Sequence, residues 1–327
     1  MFREISDTGM VSNETRFRRT VTAAGISLIA QFFLFNTLYG LPTVLLSYSE
    51  PGFDGTTAEI VAALCESAVY ILCMTLPLVV FRIAMGKTER TPPYLGVAAD
   101  PGLFLLIPAA VGINTAVSYF NFEIISFLPF GYAETEHLSS IPVVMVLELI
   151  STAVIPAVFE ELFFRGCLLS NLLPFGRTGA IFLSAFTFSM MHGSFHKFLH
   201  TFCAGLILGA VYVYYRSIWP GTLIHFCNNL LSAMSLGGIG AASGVFGGVP
   251  SVLTDIVLMA GGLACSVFFV VYLKRHRFHR VPEDTEPEYL PVNDYGRNMI
   301  RPTLVVFVAL TVSSSLVNIL YLLLGGF

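Results

Sequence analysis

Long apolar segments alternate with short polar segments along the whole chain. A helix needs about 20 mostly apolar residues to cross the hydrocarbon core of a membrane. By this measure the chain contains about eight or nine spans, of which the fifth and the seventh are short and polar. The pattern therefore predicts an all-α fold, a polytopic transmembrane helical bundle. The predicted spans lie near 21–47, 59–84, 103–120, 141–164, 179–193, 198–215, 218–235, 251–273 and 302–325.

The composition supports this membrane assignment. Of the 327 residues, 55% are hydrophobic and 12% are charged, which is about half the charged fraction of a typical soluble domain. A soluble protein so poor in charge could not cover its own surface, so lipid must be its main solvent. The formal net charge of −4 and the lack of a basic stripe in the sequence give no sign of a nucleic-acid partner.

Positive charges alternate between the predicted loops. Arg16, Arg18 and Arg19 precede the first span, and the basic segment KRHRFHR at 274–280 follows the eighth. The glycine-rich segment at 237–248 and the loops after the first and third spans contain no Lys or Arg. Cytoplasmic loops carry the excess of positive charge, so we expect a cytoplasmic N-terminus. The expected location is multi-pass in a plasma membrane of bacterial type.

The densest group of charges within a predicted span is the segment VFEELFFRG at 158–166. On a helix, Glu161 and Arg165 are four residues apart with the acid first, which is the favourable order for an ion pair. Glu160 is rotated by about 100° from Glu161, so it is left to face another partner. By itself the segment fits an interfacial charge cluster equally well.

Two further apolar segments carry polar side chains. The segment FSMMHGSFHKFLH at 188–200 contains His192, and LIHFCNNLL at 223–231 places His225 and Asn229 four residues apart, on one helical face. Ionisable and amide groups are expensive to place in a membrane. A carboxylate, two imidazoles and an amide contributed by separate spans therefore indicate a shared function.

Two more histidines follow His192. His196 and His200 would share its helical face if the helix continued, but Gly193 and Ser194 are expected to break it. We therefore expect both to be interfacial histidines rather than members of the site.

The three segments resemble the motifs of the CPBP family of intramembrane proteases, which contains the CAAX prenyl endopeptidases and the bacteriocin-processing and self-immunity proteins. EExxxR matches at 160–165, FxxxH at 188–192 and HxxxN at 225–229. Each motif alone is weak, but the three in family order on apolar segments are specific. The resemblance covers roughly residues 140–235.

The resemblance implies catalytic roles for four residues. Glu160 would be the general base that takes a proton from water, and His192 would help to hold that water. His225 and Asn229 would line the other side of the scissile carbonyl, where the Asn229 amide is a candidate oxyanion donor. We accordingly expect peptide hydrolysis by water that a glutamate activates.

The sequence leaves the need for a metal open. Glu160, His192 and His225 are a set of ligands that zinc could use with water in the fourth position. The chain has no HExxH motif, and the two histidines come from separate segments. The same residues serve a metal-free, glutamate-dependent mechanism equally well. We expect no tightly bound metal, although a metalloprotease with a removable zinc ion stays an alternative.

The predicted span boundaries conflict with a shared site. Glu160 falls near the cytoplasmic end of the fourth span, whereas His192 falls at the far end of the fifth. Either the connection at 166–178 enters the protein, or the fifth helix starts deeper in the membrane. The resemblance makes the Glu161–Arg165 pair architectural, orienting the helix that carries Glu160.

The expected function is that of an intramembrane endopeptidase in a lipid bilayer. The family's eukaryotic members remove the last three residues of prenylated CAAX proteins. Here the substrate would be a prenylated or otherwise membrane-associated protein or peptide, and bacteriocin processing is equally compatible. A transporter or channel is the alternative, with Glu66, Glu148 and Asp255 extending an ion path. A bacteriocin immunity protein that does not cleave is a third.

We expect three regions along the chain. Residues 1–140 would form N-terminal spans after a short cytoplasmic tail, and residues 141–235 would form the catalytic core. Residues 236–327 would supply C-terminal spans, with a polar cytoplasmic loop near 274–301.

Overall fold

The computed structural model of the chain consists of helices packed into one bundle, and the residues that it describes contain no strand. It describes residues 13–38, 41, 55–86, 90–98, 100–127, 139–236, 251–276 and 295–323. The helices are α1 (Asn13–Leu38), α2 (Gly55–Met85), α3 (Leu103–Ser126), α4 (Pro142–Phe175), α5 (Arg177–Met191), α6 (Phe195–Tyr215), α7 (Trp219–Leu236), α8 (Ser251–His276), α9 (Tyr295–Met299) and α10 (Pro302–Leu323).

The predicted all-α polytopic bundle is confirmed. Within the described residues, seven helices are long and apolar enough to cross a membrane: α1, α2, α3, α4, α6, α8 and α10. The two other long helices, α5 and α7, correspond to the fifth and seventh predicted spans, which are short and polar. Those two helices carry the FxxxH and HxxxN motifs. The protein is therefore a multi-pass integral membrane protein.

The fourth span is longer than predicted. Instead of ending at residue 164, α4 continues to Phe175, and the whole helix Pro142–Phe175 has 34 residues. Gly176, with a φ of 134°, then reverses the chain into α5, a conformation that residues with a side chain rarely adopt. Glu160 consequently lies near the middle of α4, not at its end, and the conflict between its depth and that of His192 disappears.

Helix α4 is interrupted by two π-helical segments, Ile150–Val154 and Leu162–Leu169. They flank the α-helical turn Ile155–Glu161, which carries the two glutamates. A π-helical segment widens the helix and weakens its regular hydrogen bonding, and such segments are frequent at functional sites. The Ser184 hydroxyl of α5 donates to the carbonyl oxygen of Phe164 at 3.0 Å, so the second segment is supported from outside.

Four aromatic rings in contact with one another join α2 and α5 to the middle of α4. Phe81 of α2 meets Phe163 edge to face with ring centroids 6.1 Å apart, and Phe163 meets Phe164 at 5.0 Å. Phe164 then contacts Phe188 of α5 at 5.2 Å. All four rings are buried, and edge-to-face pairs of this kind stabilise beyond their buried area. These aromatic contacts fix α2, α4 and α5 against each other.

Small residues allow the outer helices to approach closely. A Cβ atom on Gly25 of α1 would lie 2.5 Å from the Thr303 hydroxyl of α10, and one on Gly112 of α3 would lie 2.5 Å from the Cα atom of Gly262 in α8. Such contacts replace hydrophobic burial as the basis of helix packing in lipid.

Several predicted segments lie outside the described residues. These are the glycine-rich segment at 237–248, most of the polar loop predicted near 274–301, and residues 39–40 and 42–47 at the end of the first predicted span. Helix α9 lies C-terminal to most of that polar segment. Its Asn298 accepts a hydrogen bond from Arg18 Nε at 2.6 Å, which joins α9 to α1.

Candidate active site

Arg165 lies fully buried in the centre of the bundle. Its Nη1 donates to Glu161 Oε1 at 2.7 Å, so the predicted ion pair is present. Its Nη2 donates to the carbonyl oxygen of Gly205 on α6 at 3.1 Å, and its guanidinium lies 4.8 Å from the centroid of the Phe188 ring. The buried charge is therefore matched by a carboxylate, a carbonyl and an aromatic face.

The same glutamate orients His225. Nδ1 of this buried imidazole lies 3.1 Å from Glu161 Oε1. Because that carboxylate is paired with Arg165 and can only accept, we assign the proton of the imidazole to Nδ1. Nε2 then carries the lone pair. The Arg165–Glu161–His225 chain thus fixes both the direction and the tautomer of the imidazole.

Glu160 faces the lone pair of His225. Its Oε2 lies 3.8 Å from His225 Nε2, too far for a direct hydrogen bond. This oxygen is buried and has no hydrogen-bond partner among the described residues. A water molecule about 2.8 Å from each atom would fit the separation.

His192 reaches the same place from α5. It ends that helix, and its Nδ1 donates to the carbonyl oxygen of Phe188 at 2.9 Å, which leaves Nε2 as an acceptor. The Phe188 ring meets the His192 ring at 5.1 Å and the His225 ring at 5.6 Å, both edge to face. One aromatic ring therefore supports both imidazoles and the Arg165 guanidinium, so the three motifs meet.

The turn that holds His192 is supported by hydroxyl groups. Ser189 donates to the carbonyl oxygen of Phe198 at 2.6 Å and pairs with the Thr201 hydroxyl at 2.9 Å. Ser315 of α10 donates to the carbonyl oxygen of Gly193 at 2.8 Å. Gly193 has a φ of 61° and breaks the helix after His192, as predicted.

The remaining predicted polar residues lie on α6 and α7. Asn229 is one turn beyond His225 on α7 and is partly buried. His196 and His200 lie in the first two turns of α6, past the break. The carbonyl oxygen of His196 accepts a hydrogen bond from Asn121 of α3 at 2.6 Å.

The site falls inside a segment that matches a known family. Residues 142–231 match the family model described as type II CAAX prenyl endopeptidase Rce1-like. The matched segment, which is less than a third of the chain, is similar to this family and is called the Rce1-like domain below. Comparison with curated proteins and with solved structures gave no significant match. The Rce1-like domain begins with α4 and ends just after Asn229, and it confirms the family resemblance predicted from the three motifs.

Two glycines of the Rce1-like domain that sequence analysis missed permit the buried contacts. A Cβ atom on Gly221 would lie 3.3 Å from Glu161 Oε2, and one on Gly205 would lie 2.9 Å from the Cα atom of Ala185. Gly221 precedes His225 by one helical turn. The position of Gly221 four residues before His225 is the sequence signal that could have predicted close helix packing here.

The donor atoms of the Rce1-like domain do not form a ready metal site. Among the residues that the structure describes, no three His, Cys, Asp or Glu side chains are grouped to hold a metal ion. Zinc binding by Glu160, His192 and His225 stays a prediction, and the mechanism proposed below uses the side chains of the chain alone.

Proposed function

We propose that the protein is an intramembrane endopeptidase in which Glu160 activates water for peptide hydrolysis. One observation carries the proposal: Glu160 Oε2 is buried without a described partner and faces His225 Nε2 at 3.8 Å. The match of the surrounding segment to the Rce1-like family supports it. The orientation of His225 by a buried ion pair supports it independently.

The two facing atoms are both hydrogen-bond acceptors. A water between them would donate one proton to Glu160 Oε2 and the other to His225 Nε2, which turns its lone pairs toward a substrate carbonyl. On attack, one water proton passes to Glu160. Glu160 then gives this proton to the leaving amine, which restores the carboxylate.

His192 and Asn229 would contact the substrate. Water has only two protons, so we assign His192 Nε2 to accept the N–H of the scissile amide, a change from the water-holding role that the resemblance implies. Asn229, one turn from His225, would donate its amide N–H to the oxyanion. The loss of one such donor typically lowers kcat by about 100- to 1,000-fold.

The substrate class follows from the family name and the membrane location. We propose a prenylated or otherwise membrane-associated protein or peptide that reaches the site within the bilayer. Processing of a bacteriocin-like peptide in a bacterial plasma membrane, with the N-terminus of the protein in the cytoplasm, belongs to the same proposal. If the unmodified protein cleaves no peptide, the alternative of a bacteriocin immunity protein that does not cleave is favoured.

The ion-path alternative has less support. Glu148 in the second turn of α4 accepts a hydrogen bond from the backbone N–H of Ser139, which precedes the helix, at 2.8 Å. That contact gives this carboxylate a local role at the beginning of a helix, whereas a transporter would use it along a path.

The test is cleavage of an internally quenched, farnesylated peptide that ends in a CAAX sequence, by protein in lipid nanodiscs. We expect Glu160→Gln to abolish cleavage, because the amide cannot take the proton from water. Glu148→Gln, a matched change in the same helix, should leave the rate unchanged. Full activity of the Glu160→Gln protein would overturn the proposal.

A further inference from the structure

An extended segment, residues 90–98, lies between α2 and α3 and outside the Rce1-like domain. Three successive carbonyl oxygens of this segment accept hydrogen bonds from the three residues that precede or begin α7. The backbone N–H of Ile218 donates to Tyr94 at 2.9 Å, Nε1 of Trp219 donates to Leu95 at 3.0 Å, and the hydroxyl of Ser217 donates to Gly96. The extended segment therefore binds the start of the helix that carries His225.

The same segment is attached to α4. The backbone N–H of Thr91 donates to Asn171 Oδ1 at 3.0 Å. A Cβ atom on Gly166 would lie 3.6 Å from the Cβ atom of Pro93 and 3.9 Å from the Cδ1 atom of Ile218. The extended segment, α4 and the start of α7 thus meet at this glycine. The segment consequently links the two helices that carry the facing acceptor atoms of the site.

A buried tyrosine of α6 fixes the middle of the segment. The backbone N–H of Tyr94 donates to the hydroxyl oxygen of Tyr212 at 3.0 Å, and the two ring centroids lie 5.3 Å apart. Tyr212 is 1% exposed, so no water replaces its hydroxyl as the acceptor. Both backbone polar groups of Tyr94 are therefore bonded, one to α6 and one to the residue before α7.

We propose that the extended segment positions His225 for catalysis, and that Tyr212 and Trp219 are positioning residues because they hold the segment. His225 follows Ile218 by seven residues, which is about 10 Å along a helix. A shift of the first turn of α7 along α4 would therefore move the imidazole relative to Glu160. A misplacement of about 1 Å can slow a reaction about 100-fold. The inference rests on the proposed function.

The first experiment measures cleavage of the same farnesylated peptide by variants that remove contacts of the segment. Trp219→Phe removes the indole N–H from an exposed side chain, and Tyr212→Phe removes the buried acceptor while keeping the ring. We expect each change to lower kcat about three- to tenfold, the worth of a neutral hydrogen bond expressed as a rate. The double variant should lower kcat about 10- to 100-fold, with KM unchanged within about twofold.

Two other changes serve as controls. Thr91→Val removes the hydroxyl that accepts a hydrogen bond from Arg16 of α1 at 2.8 Å, and it keeps the backbone bond to α4. Tyr119→Phe removes an exposed hydroxyl from α3. Both proteins should keep kcat within about twofold when rates are compared per folded protein well below Tm. An unchanged kcat of Trp219→Phe, or an equal loss in Thr91→Val, would overturn the inference.

A second experiment needs no substrate. Hydrogen–deuterium exchange of the protein in nanodiscs, measured by mass spectrometry, reports the stability of the first turns of α7. In the double variant the amides at 216–224 should exchange about tenfold faster, because the extended segment no longer holds the residue before the helix. Exchange at 155–165 in α4 should stay the same. Equal exchange at 216–224 in the double variant and the unmodified protein would contradict the inference.

The two proposals fail in different ways. If Glu160→Gln still cleaves at the full rate, the proposed function is wrong. If Glu160→Gln abolishes cleavage while Trp219→Phe keeps kcat within about twofold of the unmodified value, only the role of the extended segment is wrong.

Discussion

Replacement of Arg165 by methionine tests the buried ion pair on which the site is built. The guanidinium is fully buried, and it donates to both Glu161 and the carbonyl oxygen of Gly205. Methionine is similar in length and apolar, so it fills the space without replacing either hydrogen bond. Arg165→Met therefore leaves the Glu161 carboxylate buried without its cation.

The magnitude follows from the burial of both partners. Breaking a buried ion pair by removing one partner costs about 3–5 kcal/mol, because the remaining charge is uncompensated. Replacing both partners by apolar residues is often close to neutral. We therefore expect Arg165→Met to lower the free energy of unfolding by about 3–5 kcal/mol, and the double variant Arg165→Met with Glu161→Leu to recover much of that loss.

Activity should respond differently from stability. The double variant also removes the acceptor that orients His225, so we expect its cleavage rate to stay at least about 100-fold below that of the unmodified protein, as for loss of general acid–base geometry. Unfolding in mixed detergent micelles and peptide cleavage in nanodiscs measure the two quantities. The reasoning is refuted if Arg165→Met is as stable as the unmodified protein, or if the double variant cleaves normally.

Three further outcomes are expected. Gly221→Ala should lower the cleavage rate about tenfold or more, because its Cβ atom would lie 3.3 Å from Glu161 Oε2 and a rise of about 1.4 kcal/mol in the activation free energy slows a reaction about tenfold. Gly261→Ala is the control, because a Cβ atom there meets nothing within 4 Å. Equal effects of the two changes on the rate would contradict the close-packing argument. Ser189→Ala should lower kcat severalfold with little change in Tm, since it removes the hydrogen bonds that join the end of α5, which carries His192, to α6. An unchanged kcat would show that these hydrogen bonds do not hold the imidazole. Cleavage should survive treatment with 1,10-phenanthroline, whereas loss of activity that zinc restores would establish a metalloprotease.

The sequence predicted the helices and the meeting of the motifs, but it misplaced the end of α4. Glu160, Glu161 and Arg165 lower the hydropathy there, so the span was predicted to end at residue 164. In the structure these charges face protein rather than lipid, and the ion pair allows them to lie in the middle of a long helix. A hydropathy scale penalises each charged residue in a span by itself, and it takes no account of a partner that neutralises the charge.

The local parts of the site were predictable, and the distant parts were not. The Glu161–Arg165 pair and the break at Gly193 follow from spacing and residue type within one helix. The contact of His225 Nδ1 with Glu161 Oε1 joins residues that are 64 positions apart in the chain, and no spacing rule within one helix predicts it. The shared contacts of Phe188 likewise depend on the packing of α4, α5 and α7, which the pattern of a single sequence does not specify.

The central claim is that Glu160 and His225 hold a water molecule for attack on a peptide bond. The most direct measurement is a cryo-EM map of the protein in nanodiscs at a resolution that shows ordered water. The account predicts a water within about 2.6–3.2 Å of both Glu160 Oε2 and His225 Nε2, with His192 facing the same cavity. A Glu160 carboxylate turned away from His225, or bonded directly to another side chain through Oε2, would contradict it.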